Sequence, residues 1–137
     1  MINSELSELL TPTGLILGFQ LTLFNWRLER EVEVGDRGDI PWLVPSDYIS
    51  ILGMLAFLIG VILLPILGAV TVRVAKASFG LGALLFVGQT LGLAGHYQLY
   101  NRRESRKFVW FPVQEKVVVG GTIVISLIYL FAVLIRT

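Results

Sequence analysis

Charge in this chain is gathered into blocks, and the blocks leave four uncharged runs, residues 9–26, 48–72, 77–101 and 117–135. A helix rises about 1.5 Å per residue and the hydrocarbon core of a bilayer is about 30 Å thick, so about 20 apolar residues suffice to cross it. Each run reads as a transmembrane helix. The fold class that follows is an all-α membrane protein, four transmembrane helices in an antiparallel bundle, with spans at about 9–26, 48–68, 77–100 and 117–135. The chain is 55% hydrophobic and 15% charged, whereas a soluble domain carries about a quarter charged residues. The longest stretch outside the runs, residues 27–47, leaves no room for a separate soluble domain, so residues 1–137 form one unit.

The third run organises the others. At about 100° per residue, Ala77, Gly80, Gly88, Gly92 and Gly95 share one sector, interrupted by Leu84. Such a groove admits a neighbouring backbone, which matters in lipid, where hydrophobicity does not drive helices together. The candidate helix-packing residues are therefore Gly80, Gly88, Gly92 and Gly95. Beside them runs a polar seam of Gln89, His96, Tyr100 and Arg103. In the first run Thr13, Gln20 and Arg27 are heptad-spaced and face one way, which adds Gln20 to the candidate seam. If Gln20 and His96 lie at equal depth on neighbouring helices, their amide and imidazole can hydrogen-bond.

The first run is the most polar of the four, with Pro12 close to its start, and lying along the interface is the alternative to crossing. Met1–Glu8 carries Glu5 and Glu8 and no Lys or Arg, unlike a secretory leader, so the segment is expected to remain in the mature protein. Residues 27–47 hold three basic and six acidic residues. There Glu31–Val34 alternates as a strand does and Gly35–Gly38 reads as a turn, so a short hairpin competes with continuation of the first helix to Glu31. Ser46 and Asp47 are suited to cap the second helix. Residues 101–116 hold five basic and two acidic residues with Phe108, Trp110 and Phe111 among them. This mixture suits the headgroup layer, and Arg102, Arg103, Arg106 and Lys107 are candidate lipid-headgroup contacts. Loop acids Glu29, Glu31, Glu33 and Asp36 are expected to face those basic residues.

Loops 27–47 and 101–116 together hold eight of the eleven Lys and Arg residues. The positive-inside rule places both loops in the cytoplasm of a multi-pass cell-membrane protein, with both termini extracytoplasmic. No Asp, Glu, Lys or Arg lies inside a run, and the chain has one histidine and no cysteine. Phosphate-loop, dinucleotide and zinc-protease motifs are missing from the sequence. No cofactor is expected, the expected partners are the bilayer and other membrane subunits or a second copy, and nucleic acid is not among them. The reading is a non-catalytic structural or interaction subunit acting through its cytoplasmic loops. The alternative is a small oligomeric channel or transporter with a polar seam from the first and third helices. A lipid-directed enzyme would need Arg102 and Arg103 to converge with the acids of the first loop.

Overall fold

The computed structural model describes residues 4–38, 43–101 and 109–135. Helix α1 is Ser4–Asp36, α2 is Pro45–Ile66, α3 is Val72–His96 and α4 is Val113–Ile135. All four are long and apolar enough to cross a membrane, and no strand occurs among the described residues. The protein is an all-α, four-helix membrane bundle in which α3 packs against each of the other three helices.

All four helices begin before their uncharged runs, because backbone hydrogen bonding does not stop where apolar side chains do; α1 also continues past the end of its run, whereas α2 and α3 stop short of theirs. α1 has 33 residues, about 50 Å at about 1.5 Å per residue. It absorbs Glu31–Val34, so the hairpin does not form, and it passes Glu31 by more than a turn. Glu33 and Arg37, one turn apart, pair across that end at 3.7 Å. Gly38, at φ +84°, then takes the left-handed conformation that ends the helix. At the other end the chain is already helical at Ser4, which puts Pro12 in the interior instead of the first turn. Its ring removes the amide that would have served Glu8.

α2 is α-helical over Pro45–Leu55, widens to π-helical turns over Ala56–Leu63, and closes with Leu64–Ile66. The widened stretch ends next to Pro65, which has no amide to donate, and the Leu64 amide reaches back five residues to Ile59. Gly68, at φ +66°, lets the Ala69 amide bond Leu64 O at 2.9 Å, and the chain turns directly into α3. α3 ends in the same hydrogen-bond pattern, Leu99 N to Ala94 O at 3.0 Å, but the left-handed residue there is Gln98, at φ 55°. α3 therefore stops at His96, and Tyr100 lies beyond it with its hydroxyl folded back onto Leu91 O at 2.7 Å.

Glycine sets the spacing on both sides of α3. A methyl group on Gly92 would meet Ser46 of α2, and one on Gly82 would lie 2.8 Å from the Phe57 ring. Toward α4, Gly80 abuts the Tyr129 hydroxyl, Gly88 abuts Thr122, and a methyl group on Gly95 would lie 2.9 Å from the backbone of Gln114 and Glu115. The bundle is inverted relative to a soluble domain. Thr13, Gln20, Arg27, Ser46, Asp47, Ser50, Gln89, Glu115, Thr122 and Ser126 are buried, while Phe19, Leu127, Ile128 and Phe131 are exposed. In lipid that is the cheap arrangement, since polar groups find partners only inside the protein.

Candidate functional site

The antiparallel order brings the C-terminal ends of α1 and α3 and the N-terminal ends of α2 and α4 to one end of the bundle. Two buried polar networks form there, and between them they join all four helices.

The first is built on Arg27. Leu6, Thr13, Gln20 and Arg27 recur every seven residues along α1 and are all buried against the bundle. The Arg27 guanidinium donates Nε–H to Asp47 Oδ1 at 3.2 Å and Nη2–H to Oδ2 at 3.0 Å, a two-pronged pair that fits the planar fork. Its Nη1–H donates to the Tyr97 hydroxyl at 2.9 Å, and Glu31 lies 3.3 Å from Nη2. Asp47 also accepts the Val44 amide at 3.0 Å, satisfying a donor at the start of α2. Arg30 stacks over the outer side of the Tyr97 ring, 4.8 Å from its centre.

The second is built on Glu115, whose side chain is wholly buried. Its Oε1 accepts both the Ser46 amide at 3.0 Å and the Ser46 hydroxyl at 2.6 Å, and its Oε2 lies 2.8 Å from His96 Nδ1. An ionised carboxylate only accepts, so this arrangement is satisfied when His96 carries its proton on Nδ1. The two networks are adjacent because α2 contributes neighbours, Ser46 and Asp47, and α3 contributes neighbours, His96 and Tyr97. Successive helical residues point about 100° apart, so each pair sends one side chain toward α1 and one toward α4.

Deeper in the bundle lies a neutral polar level. Gln20 donates Nε2–H to Ser50 O at 3.1 Å. Gln20 Oε1, Ser50 Oγ and Gln89 Oε1 are buried with no hydrogen-bond partner among the described residues.

The structure thus places Gln20, Gln89 and His96 inside the bundle, but not in one seam. Gln20 turns to α2 and His96 to α4, so the Gln20–His96 hydrogen bond expected from their equal depth is replaced by these two contacts. Tyr100 sits past the end of α3, exposed, and Gly80, Gly88, Gly92 and Gly95 line the α2 and α4 sides of α3. Arg102, Arg103, Arg106 and Lys107 lie outside the described residues. Arg27, Asp47 and Glu115 are not among the residues the sequence singles out as sites, because each stands just outside an uncharged run. The signal available is their shared side: all three border the two loops that positive-inside counting puts together. Among the described residues no three His, Asp or Glu side chains converge in a way that could hold a metal ion.

Comparison with protein-family models, with curated proteins and with solved structures gives no match to this chain.

Proposed function

We propose that this chain is a non-catalytic structural or interaction subunit of the membrane, offering the cytoplasmic end of its bundle to a protein partner. The observation that carries the reading is the length of α1. Nine residues, Leu28–Asp36, continue as helix beyond the buried Arg27. On that projection Leu28 and Val32, one turn apart, are 39% and 62% exposed, and with Asn25, Glu29 and Glu33 they line a shallow surface cleft. A pair of apolar side chains rimmed by acids suits a partner that presents an apolar patch with basic flanks.

The burial of the polar residues bears on the alternative, a small oligomeric channel or transporter. A pore around an oligomer axis needs polar side chains on the outside of the protomer, and here Gln20 and Gln89 point into its own interior. The unpartnered oxygens of those two residues are what favours the alternative.

Native membranes solubilised in a mild detergent provide the test. The chain is expected in a complex larger than the protomer, and Leu28→Ser with Val32→Ser is expected to release it as a folded protomer. A wild-type chain that runs as a lone protomer removes the subunit reading. A homo-oligomer that conducts ions in liposomes establishes the alternative.

A further inference from the structure

We infer that Gln20, Ser50 and Gln89 form an internal hydration site that binds one water molecule between α1, α2 and α3. The inference concerns the interior of the protomer and stands independently of the subunit reading.

Three observations carry it. The first is burial without partners: the three residues are 0%, 0% and 1% exposed, and one polar atom of each has no hydrogen-bond partner among the described residues. Unpaired polar atoms in a lipid-surrounded interior are costly, and buried waters occur where they relieve that cost.

The second is location. Gln20 is tied to residue 50 directly by its Nε2 bond to Ser50 O at 3.1 Å. Gln89 reaches the same level through the register of α2 against α3. Ser46 abuts Gly92 on one side of this level, and Gly53 lies against Leu85 on the other, where a methyl group would be 3.3 Å from Leu85 Cβ. Ser50 stands between Ser46 and Gly53 on α2, and Gln89 stands between Gly92 and Leu85 on α3.

The third is complementarity. Two of the orphan atoms, Gln20 Oε1 and Gln89 Oε1, only accept hydrogen bonds, and the third, Ser50 Oγ, carries a proton to donate. Water has two protons to give and lone pairs to receive one, so a single molecule satisfies all three. That is within the two to four partners a buried water ordinarily has. The Gln20 amide cannot be reversed to remove the mismatch, because its oxygen would then face the Ser50 carbonyl. A bare cation fits less well, since three neutral oxygens are few for an ion taken out of water.

Ser46 lies one helical turn from Ser50 on α2, and its hydroxyl donates to Glu115. The inferred site at the level of Gln20 lies about 10 Å from Arg27 along α1, one turn of α2 inward from Ser46.

The test uses the whole protein in nanodiscs, with side-chain amide nitrogens labelled on glutamine. Magnetisation transfer from water to the Gln20 and Gln89 side-chain NH₂ groups is expected, with the sign of a long-lived bound water. It should be unchanged when sodium chloride is replaced by choline chloride, and the Gln20 signal should be lost in Gln89→Leu. Absence of transfer to both glutamines in the wild-type protein overturns the site, whatever the variant does. A shift of those resonances that requires sodium overturns it in favour of a cation. Transfer to Gln20 that persists undiminished in folded Gln89→Leu shows that the two side chains do not share one water, and overturns it as well.

Discussion

Removing the carboxylate of Asp47 is the sharpest perturbation the loop-side networks offer. Asp47 is fully buried and holds Arg27 through two hydrogen bonds at 3.0 and 3.2 Å. Breaking a buried ion pair by deleting one partner costs about 3–5 kcal/mol, chiefly because the other charge is left buried and unpaired. Arg27 keeps the Tyr97 hydroxyl and Glu31, and its position at the end of an apolar run lets it reach toward water, so the lower part of that range applies. The Val44 amide loses its acceptor too, which adds about 1 kcal/mol. Asp47→Ala is therefore expected to cost about 3–4 kcal/mol and Arg27→Met a similar amount, but the double variant only about 1–2 kcal/mol, since it leaves neither charge stranded. Glu33→Ala, at a pair whose side chains are 70% and 74% exposed, should cost less than about 1 kcal/mol. Reversible unfolding in mixed micelles, followed by circular dichroism, measures all four. Losses at Asp47 and Arg27 that simply add in the double variant would refute the pairing.

Gly95→Ala should destabilise most among glycine changes, because its methyl would stand 2.9 Å from backbone atoms of Gln114 and Glu115, which cannot rotate away; Gly120→Ala, with nothing within 4 Å, should be neutral, and equal melting temperatures would contradict this packing. Gly88→Leu and Gly92→Leu should disrupt the bundle against Thr122 and Ser46 while Leu58→Ile is tolerated, as read from thermal stability and particle size. Gln20→Leu removes the bond to Ser50 O together with one acceptor of the inferred water, and at about 0.6 kcal/mol for an average interhelical bond in membranes it should cost about 1 kcal/mol; a loss several times larger would mean the amide holds α1 in place. Cysteines placed at Glu29, Glu33 or Asp36 should cross-link to cysteines at Arg102, Arg106 or Lys107, and failure of every pair in folded protein would remove the expected contact between the two loops.

The four helices were legible because a charged side chain in hydrocarbon is expensive, so the uncharged runs mark the spans directly. Helix ends were not, since Glu31 and Glu115 are helical residues that happen to be charged. Gln89 and His96 could be assigned to one stripe by their spacing. Their partners could not, because which helix lies against which depends on where close approach is allowed, and that is fixed by Gly82 against Phe57 and Gly88 against Thr122 together. Gln20 and His96 illustrate the limit. Depth along the membrane normal follows from counting to the nearest arginine, but direction around the bundle axis does not. The loop-side networks were obscured for a further reason: Arg27, Asp47 and Glu115 are each unremarkable alone, and become a site only when the antiparallel order gathers four helix ends.

That gathering makes the two ends of the bundle unequal. At the loop side, every helix is held to another through a buried charged or hydroxyl group. At the opposite end, Lys76 pairs with Glu5 at 3.0 Å, with both side chains more than half exposed. Such a pair contributes about 0–1 kcal/mol. Tyr129 adds a single bond to Ala77 O at 3.2 Å. α2 and α3 are joined there by the short turn through Gly68, but α1 and α4 have no covalent tie to them at that end. The turns Leu28–Asp36 continue from the buried Arg27, and their first turn is tied back to the bundle by Arg30 over the Tyr97 ring at 4.8 Å and Glu31 beside Arg27 at 3.3 Å, which fixes the direction in which the helix extends.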